Sequence, residues 1–292
     1  MVNLSIIILS YNTKDLTLAC LESIKSNYSK ELEKKEFEII VVDNASTDGS
    51  SSAISNFQFS VYNLKLIQSK ENLGFGKGCN LGAKSATGRY LLFLNSDTQV
   101  LDNGFLKMIE YLDKNNKVGV LGGKIRNNDG SLQPSAGKFY NLFNLSLMLL
   151  GFERLGFLRS SPEKIEKVDW VSGACMMIRK EIFKKLSGFD EELFMYVEDM
   201  EICFRAWKLG YETYFYPNIK LSHKSHGSSN RTFAIINIYK GILYFYSKHK
   251  TRLEYKIAKA LLVFKATTLI LVGAVTFNRN LRNRYKEAIH KL

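Results

Sequence analysis

Cysteine is scarce in this sequence, and the four residues present are dispersed. Cys20, Cys79, Cys175 and Cys203 lie far apart, and no pair has the C-x-x-C spacing that marks a zinc site. Each stands in an apolar or helical context, which is typical of reduced core residues in a cytosolic protein. We therefore predict buried thiols and no zinc centre.

A leader segment and a long uncharged apolar run are also lacking. The opening residues MVNLSIIILSYN have no basic stretch, and their apolar run stops after six residues, so they do not match a signal peptide. The most apolar segment, residues 257–277, is interrupted by Lys259 and Lys265. Its uncharged part, residues 266–278, has 13 residues, against the roughly 20 that a spanning helix needs. These patterns predict a cytoplasmic protein.

Two common nucleotide-binding fingerprints are missing as well. The glycine stretch GFGKGCNLG, residues 74–82, fits G-x-G-x-x-G in no register, because Cys79 and Leu81 stand at required glycine positions. It also does not follow the first predicted strand, and no G-K pair has the glycine and hydroxyl neighbours of a P-loop. Dinucleotide oxidoreduction and P-loop hydrolysis are therefore poor interpretations. The glycines form either a flexible loop before a helix or a backbone that approaches a ligand.

The chain does have ample apolar material and an uneven charge. Of 292 residues, 46% are hydrophobic and 12% aromatic, which argues against global disorder and fits one large α/β domain, alone or with an appendage. The net charge is +13, and residues 240–292 hold twelve Lys and Arg against two Glu. This tail predicts an appendage for an anionic partner, either a lipid surface or nucleic acid.

Short β-rich apolar runs alternate with helical patterns over the first 125 residues. This alternation predicts a mainly parallel central sheet flanked by helices, an α/β fold. The predicted strands cover residues 4–9, 37–43, 63–68, 89–94 and 118–123, with helices at 13–27, 48–57, from about 76, and at 105–113. In the less regular second half, we predict a helix at 141–158, a strand at 168–180, an amphipathic helix after the GFDEE turn, and a strand with a loop at 217–229.

Polar residues follow four of the predicted strands. Ligands of such sheets gather at the carboxyl ends of the strands. Loop chemistry and helix capping explain each set alone, but four sets on one edge favour a ligand site. The sets are Ser10-Tyr11-Asn12, Asp43-Asn44-Ala45-Ser46-Thr47-Asp48-Gly49, Glu71-Asn72-Leu73-Gly74 and Asn95-Ser96-Asp97.

Carboxylates indicate the chemistry of that site. Asp43 and Asp97 end two strands, and Glu198, Asp199 and Glu201 cluster near a predicted helix start. The phosphates of a sugar nucleotide need a divalent cation, and oxygen ligands suit Mg²⁺ or Mn²⁺, of which Mn²⁺ also accepts imidazole. Transfer to a hydroxyl also needs a general base, and a carboxylate can serve.

The acidic cluster also has structural explanations. Glu201 precedes Arg205 by four residues, the spacing of a helical ion pair, and we assign it a structural role. Glu198 and Asp199 would each favour a helix N-terminus through its dipole. On the residues alone, these two carboxylates stay divided between structure and catalysis.

The ordered motifs resemble those of one enzyme family. The segments SIIILSYN, VVDNASTDGS, ENLGFGKGCNLG, LLFLNSDT, WVSGACMMIRK, GFDEELFMYVEDMEICFRAWKLGY and LSHKSHGSS look like the motifs of the family 2 glycosyltransferases, in the same order. They are most similar to a bacterial rhamnosyltransferase-like branch that builds surface polysaccharides. The resemblance covers roughly residues 3–250 and implies a GT-A type nucleotide-diphospho-sugar transferase fold.

On the donor side, the resemblance implies that Asp43 binds the base of the nucleotide. The neighbouring Ser10, Tyr11 and Asn12 would assist it. The glycine loop and the start of its helix would line the nucleotide-sugar pocket. The residues concerned are Asn72, Gly74 and Asn80.

At the metal, the resemblance places the segment Asn95-Ser96-Asp97 where the family has D-x-D. His223, which opens an H-x-x-x-G-x-S pattern ending at Ser229, would approach the metal or the diphosphate. Asn95 is a departure, because it brings no charge and would only assist the substrate. Asp97, His223, water and the donor phosphates would then hold the cation, so we predict weak metal binding without donor.

On the acceptor side, the resemblance makes Asp199 the base that deprotonates the acceptor hydroxyl in one inverting displacement. Glu198 is assigned to substrate binding, and Trp170, Gly173 and Ala174 would shape the sugar and acceptor pocket. The implied donor is dTDP-L-rhamnose or a UDP-sugar, and the acceptor a glycan or a polyprenyl-diphosphate-linked glycan. Because Asn95 is neutral, a catalytically idle nucleotide-sugar-binding or scaffold protein remains the alternative.

The domain prediction is a GT-A catalytic domain at 1–235, split into halves at 125/126, and a helical basic appendage at 236–292. The basic apolar part, 257–291, lies on an anionic membrane as an interfacial helix, or packs on the domain or on a second subunit of a homodimer. No nucleic-acid module is recognised, so nucleic acid ranks last among the partners. His226 and His249 are expected at the surface.

Overall fold

The centre of the molecule is a ten-stranded mixed sheet, accompanied by a separate sheet of three strands. The computed structural model describes residues 1–58, 63–152, 156, 158–224 and 231–292. Helices cover both faces of the large sheet. Residues that alternate along its strands therefore belong to two separate apolar clusters, one on each face. The predicted α/β class is confirmed.

Thirteen strands and ten helices are formed by the described residues. The strands are β1 (Leu4–Ser10), β2 (Phe37–Asp43), β3 (Leu64–Gln68), β4 (Tyr90–Asn95), β5 (Thr98–Val100), β6 (Val118–Arg126), β7 (Leu132–Gln133), β8 (Ala136–Gly137), β9 (Arg159–Ser160), β10 (Glu166–Val168), β11 (Trp170–Val171), β12 (Cys175–Arg179) and β13 (Glu212–His223). The helices are α1 (Lys14–Glu33), α2 (Ser50–Gln58), α3 (Phe75–Lys84), α4 (Gly104–Lys114), α5 (Leu142–Leu149), α6 (Lys180–Lys185), α7 (Glu198–Lys208), α8 (Arg231–His249), α9 (Arg252–Val275) and α10 (Arg279–His290).

The large sheet has the order β10-β13-β6-β12-β4-β1-β2-β3. Strands β3, β2, β1 and β4 are mutually parallel, and so are β6 and β13. Strand β12 runs antiparallel between β4 and β6 and joins the two parallel groups. The predicted parallel arrangement therefore holds for both groups, and β12 is an antiparallel insertion that the hydrophobic pattern could not reveal.

Strand β1 shows how the sheet builds its two cores. Ile6 and Ile8 enter one apolar cluster, whereas Ile7 between them enters the other, and all three are fully buried. A strand with buried side chains on both faces has no polar alternation, which is why it reads as a continuous apolar run. Burial of such a side chain contributes about 1.5–3 kcal/mol to folding.

Two predicted elements in the second half are wrong in extent. Of the helix predicted at 141–158, the described residues form α5, which Asn141 caps by accepting a bond from the Asn144 N–H at 2.8 Å. It ends before Gly151, whose φ of 88° is a left-handed conformation that favours glycine. The strand predicted at 168–180 is broken into β10, β11 and β12, because Ser172, Gly173 and Ala174 form a turn.

The C-terminal helices pack on the domain through narrow faces. Helix α8 begins at Arg231 and therefore runs across the predicted boundary at residue 235. Its buried side joins the same apolar cluster as α7. Helix α9 begins with a capping box between Thr251 and Glu254 and buries Ala258, Leu262, Ala266 and Gly273. Within the described residues, α9 is the one helix that is long and apolar enough to cross a membrane, by length and composition alone.

Candidate active site

The carboxyl ends of three parallel strands meet at one edge of the sheet. The register aligns Ser10 of β1 with Asp43 of β2, and Leu9 with Asn95 of β4. Parallel strands that end at the same level bring the loops after them together. The structure therefore brings together three of the four polar sets at one edge, and the loop after β3 joins them through Asn44.

The loops after β1 and β2 are bound to each other. The Asn12 side-chain oxygen accepts the Thr47 N–H at 2.7 Å, and the Asn12 N–H donates to Ser46 Oγ at 3.0 Å. Asp43 is nearly buried, and its Oδ1 accepts the Ser46 N–H at 3.1 Å. Tyr11 is 40% exposed beside them. The two loops form a braced rim that a planar ring could contact.

Ser10 supports this rim from beneath. It is fully buried, and its hydroxyl bonds to Thr17 at 2.9 Å and to Thr13 at 3.3 Å. Thr13 in turn contacts the Ser96 hydroxyl at 3.0 Å, which connects the end of β1 to the Asn95-Ser96-Asp97 segment. The Ser10 side chain thus positions the loops. Its assignment to substrate binding would require a side chain that faces open space, and the Ser10 side chain does not.

The glycine loop before α3 is fixed by Asn44, a member of the polar set after β2 to which the sequence assigned no individual role. Asn44 donates to Asn72 Oδ1 at 2.8 Å and accepts the Leu73 N–H at 2.9 Å. Asn72 also accepts the Gly74 N–H at 3.0 Å. Gly74 has φ 76°, and a Cβ there would lie 2.2 Å from the Phe194 carbonyl oxygen. The close backbone approach predicted for these glycines is thus an approach to the segment before α7.

Asn80 has a different position from the one predicted. It was expected to line the nucleotide-sugar pocket, but it is buried in α3 and bonds to the turn before α7. Its amide nitrogen donates to the Phe189 carbonyl at 2.9 Å and to Glu191 at 3.2 Å, and its oxygen accepts the Phe189 N–H at 2.8 Å. The residue therefore fastens the GFDEE turn to α3, since its amide is occupied by these bonds.

Asp97 and His223 face each other at the end of β4. His223 Nε2 lies 2.9 Å from Asp97 Oδ1 and 3.1 Å from the Asn95 amide nitrogen. The other ring nitrogen, Nδ1, lies 2.9 Å from the Gln133 side-chain oxygen. An amide oxygen at Nδ1 assigns the proton of a neutral imidazole to that nitrogen and leaves a lone pair on Nε2. Gln133, on β7, was not a sequence candidate.

The pair presents a carboxylate oxygen and an imidazole nitrogen 2.9 Å apart, which are ligand types that a divalent cation such as Mn²⁺ accepts. Among the described residues no third His, Cys, Asp or Glu joins the pair, so the protein alone offers few ligands. The rest of the H-x-x-x-G-x-S pattern, with His226 and Ser229, lies outside the described residues.

Asp199 stands at the start of α7, after a strained turn. Tyr196 and Val197 have φ angles of 71° and 73°, which are unusual for any residue with a side chain and most of all for a β-branched one. Asp199 Oδ2 accepts the Gly173 N–H at 3.3 Å, and Oδ1 accepts the Met200 N–H at 2.8 Å. Burial raises the pKa of Asp199, although the positive charge of Arg159 opposes that rise.

Glu198 is a buried carboxyl group with one unpartnered oxygen among the described residues. Its Oε2 has no hydrogen-bond donor among the described residues, and the residue is only 6% exposed. Burial, and secondarily the charge of Asp199, raises the pKa of Glu198 well above its ordinary value. An orphaned acid of this kind is expensive to keep in a core, and such groups concentrate at functional sites.

The β11–β12 turn connects Asp199 with the Asn95-Ser96-Asp97 segment. The Ala174 carbonyl accepts the Asn95 N–H at 3.2 Å, and neighbouring Gly173 bonds to Asp199. A Cβ at Gly173 would lie 3.0 Å from the Phe75 ring, so the turn is closely packed. Trp170 is buried, and its indole N–H donates to the Lys138 carbonyl at 3.0 Å. Trp170 thus supports the turn from the core.

Glu201, also in the first turn of α7, is fully buried and well paired. Arg205 Nε lies 2.9 and 2.8 Å from its two oxygens, His249 Nε2 lies 2.9 Å away, and Lys248 Nζ 3.2 Å away. His249 was predicted at the surface, but its imidazole is buried against this carboxylate. Sequence spacing identified Arg205 as a partner, whereas the α8 partners arrive only through the tertiary fold.

Comparison with known proteins yields one family and consistent relatives. The family model for glycosyl transferase family 2 matches residues 5–187. An N-acetylglucosaminyl-diphospho-decaprenol L-rhamnosyltransferase of Mycobacterium tuberculosis is 28% identical over 215 residues, which cover 65% of this chain and 67% of the relative. The rhamnosyltransferase WbbL of Escherichia coli K12 is 30% identical over 170 residues, covering 55% of this chain and 64% of the relative.

A solved structure shares the fold over almost the whole chain. It is a mannosyltransferase from Pyrobaculum calidifontis in complex with GDP-mannose and Mn²⁺, with a TM-score of 0.61 and 16% sequence identity. The similarity covers 98% of this chain and 84% of that one. At this level of identity, the likeness demonstrates a common fold.

Proposed function

Because the chain belongs to glycosyl transferase family 2 and is a glycosyltransferase of GT-A fold, we propose that it moves one sugar from a nucleotide-diphospho-sugar to a hydroxyl group. The reaction is a single displacement that inverts the anomeric carbon. One observation supports this proposal most strongly. A carboxylate of raised pKa, Asp199, is held by the turn that also bonds to Asn95 beside the Asp97–His223 pair.

The braced rim after β1 and β2 receives the nucleotide. Asp43, Asn12 and Tyr11 contact the base and ribose, because they present carboxylate, amide and aromatic surfaces at the carboxyl ends of parallel strands. Gly74 brings backbone near the sugar phosphates, with Asn72 and Asn44 fixing its position. Ser10 and Asn80 act on this pocket indirectly, through the loops that they hold.

Asp97 and His223 would hold a divalent cation, Mg²⁺ or Mn²⁺, together with the phosphates of the donor. When bound, the ion would supply charge neutralisation for the departing nucleotide diphosphate. Gln133 orients the imidazole through Nδ1, a support that ligating histidines commonly have. Asn95 adds a hydrogen bond to this group but no charge.

Asp199 accepts the proton of the acceptor hydroxyl while the oxygen of that hydroxyl forms a bond to the anomeric carbon. The bond from that carbon to the diphosphate oxygen breaks, and the nucleotide diphosphate leaves with the electron pair. Burial suits Asp199 to this task, because a base whose pKa lies nearer to the working pH takes up a proton more readily. We assign Glu198, which precedes Asp199 at the start of α7, to substrate binding beside this base.

For the transferred sugar we propose L-rhamnose, carried by dTDP, and for the acceptor a glycan on a polyprenyl diphosphate in surface polysaccharide synthesis. The names of the two rhamnosyltransferase relatives support the sugar, and the mycobacterial name supports the acceptor. A thermal-shift screen of dTDP-, UDP- and GDP-sugars with Mn²⁺ or Mg²⁺ tests the donor, because a ligand of the native state raises the melting temperature. A preference for a UDP- or GDP-sugar over dTDP-L-rhamnose would overturn this choice.

We further propose that α9 and α10 dock on the anionic cytoplasmic face of the membrane. The outer face of α9 exposes Phe264, Leu271 and Val275, with exposed fractions of 70%, 61% and 78%. The two lysines that interrupt its apolar run turn inward, since Lys259 contacts the Leu292 carbonyl and Lys265 the Leu149 carbonyl. An apolar stripe next to the basic α10 is typical of interfacial helices.

Flotation with liposomes tests the membrane proposal. The protein should bind vesicles that contain anionic lipid and should bind neutral vesicles much less, because headgroup attraction adds to apolar burial. The variant Phe264→Ser/Leu271→Ser should lose this binding and keep transfer to a soluble acceptor. Failure of the wild-type protein to bind anionic vesicles at moderate salt would refute the proposal.

A further inference from the structure

A cavity of about 690 Å³ lies beside the Asp97–His223 pair, away from the residues assigned to the nucleotide and sugar of the donor. Its walls come from the end of β5, the start of α4, the end of β6 with its hairpin, and the second half of β13. Pockets of a few hundred to about a thousand cubic ångströms are large enough for a small organic ligand. This cavity is therefore large enough for a small organic ligand and not only for a single ion.

Strand β13 opens the cavity by an irregularity in its pairing. The register between β13 and β6 shifts between Tyr216 and Leu221, and Pro217 within this stretch has no N–H to donate. Pairing with β6 resumes at Leu221, and the Lys220 carbonyl accepts the Leu101 N–H at 3.0 Å. The walls are thus backbone held by sheet bonds, so the cavity is formed before any ligand arrives.

Positive charge dominates the lining. Lys107, Lys124, Arg126 and Lys220 line the cavity, against the single carboxylate of Asp102. That carboxylate is already engaged, since its Oδ1 accepts the Gly104 N–H at 3.0 Å.

The four cations differ in how far they are neutralised. Lys124 pairs with Glu163 at 2.9 Å, and the positive charges of Lys124 and then Arg126 lower the pKa of this exposed carboxyl. Arg126 donates one N–H to the Gly130 carbonyl. Within the described part of the chain, no acidic side chain forms an ion pair with Lys107 or Lys220. The lining thus keeps cations for an external anion.

The cavity shares two strands with the proposed reaction centre. Ser222 lines it, and the next residue of β13 is His223. Asp97 immediately precedes β5, and Leu101, at the other end of this short strand, lines the cavity. Four residues of extended chain span about 13 Å, so a short sugar chain can reach from one place to the other.

We propose that this cavity, the β13 cleft, binds the diphosphate group of a diphosphate-linked acceptor. The choice of acceptor rests on the proposed function, whereas anion binding by the cleft does not. A diphosphate offers several acceptor oxygens to lysine and arginine, which bind phosphates through charge-assisted hydrogen bonds. The sugar attached to that diphosphate then extends towards Asp199, and the lipid remains outside the cleft.

Calorimetry with inorganic pyrophosphate tests the anion site without relying on transfer. Titrations of the full chain in metal-free buffer should show binding that weakens as salt is added. The variant Lys107→Ala/Lys220→Ala should bind at least about tenfold more weakly, because it removes two charge-assisted partners. The matched control Lys30→Ala/Lys34→Ala removes two exposed charges from the end of α1 and should bind like the wild type. Absence of binding, or equal loss in both variants, would overturn the proposal.

Transfer assays then distinguish a free phosphate from the diphosphate of the acceptor. The cleft variant should raise the KM for a diphosphate-linked acceptor about tenfold and leave the KM of the same glycan without diphosphate unchanged. An unchanged KM for both acceptors would show that the cleft binds phosphate but not the acceptor, and would overturn the assignment of the ligand. If neither the wild type nor any variant transfers sugar, the proposed function fails while the calorimetric result stands.

Discussion

Two carboxylates in the first turn of α7, Glu198 and Glu201, are in opposite situations. Among the described residues, one oxygen of Glu198 has no hydrogen-bond partner, and burial raises the pKa of both Glu198 and Asp199. Glu201 is at least as deeply buried, yet Arg205, Lys248 and His249 surround it. These partners outweigh burial and lower the pKa of Glu201 to about 2.

The difference separates chemistry from stability within four residues. A carboxylate with a full set of cationic partners is fixed in its charged form and contributes to folding, because its loss would leave buried cations unpaired. A buried carboxyl group with too few partners costs stability and can exchange a proton near neutral pH. We therefore expect Glu198 and Asp199 to govern activity and Glu201 to govern stability.

The largest expected effect is the loss of transfer in Asp199→Asn. An amide cannot take up the acceptor proton, so kcat should fall by about 10²–10⁴-fold. Donor affinity should stay within a few-fold of the wild-type value, because Asp199 bonds to the β11–β12 turn and not to the nucleotide rim. Steady-state transfer and calorimetric donor titrations measure the two quantities. Wild-type activity in the Asp199→Asn variant would remove Asp199 from the role of base.

The next largest effect is destabilisation by Glu201→Gln. Removal of this charge leaves Arg205, Lys248 and His249 without their buried partner, and we expect a loss of about 3–5 kcal/mol in unfolding free energy. The matched variant is Glu198→Gln, which should change stability little or increase it, because it replaces a buried acid with an unpartnered oxygen among the described residues. Urea unfolding gives both values. If Glu198→Gln destabilised the protein as much as Glu201→Gln, the contrast between these two carboxylates would be refuted.

The same contrast predicts how stability depends on acid. The folded pKa of Glu201 is about 2, below its value in the unfolded chain, so its contribution is complete above the ordinary glutamate range. This contribution, up to about 3 kcal/mol, is lost as the pH falls from about 4.5 towards 2. Urea unfolding at several pH values should therefore give a shallower acid slope for Glu201→Gln than for the wild type. Parallel slopes would mean that Glu201 is not the titrating group.

The smallest expected effect is a change in metal affinity at the proposed site of Asp97 and His223. Asn95→Asp would add a carboxylate beside Asp97 and His223, and should strengthen Mn²⁺ binding to nucleotide-free protein by about tenfold. The wild-type protein should bind the ion weakly until donor is added. Calorimetry in the absence of nucleotide measures both affinities. Tight binding by the wild-type protein would contradict a site built on only two protein ligands.

Sequence reasoning located the parallel part of the sheet well, because its signals are local. A strand buried on both faces appears as an apolar run, so β1, β2, β4 and β6 were predicted within a few residues of their observed ends. The polar residues after these runs could be gathered on one edge by the general rule for parallel sheets. Neither step requires knowledge of distant contacts.

The supporting contacts were not predictable in the same way. Gln133 and Asn44 are short polar residues of kinds that occur in most loops, and only the folded chain brings them to His223 and Asn72. Asn80 was misplaced because its helix start resembles a ligand loop, although its amide faces the Phe189 turn. His249 was misplaced because helix spacing cannot reveal a partner on another helix.

The pH dependence of kcat/KM tests the central role of Asp199 most directly. Burial raises its pKa, so activity should fall at low pH along an acid limb that lies above the ordinary range for an aspartate. The limb should persist in Glu201→Gln and vanish from the residual activity of Asp199→Asn. A wild-type profile without an acid limb, or one whose limb survives in Asp199→Asn, would contradict Asp199 as the base.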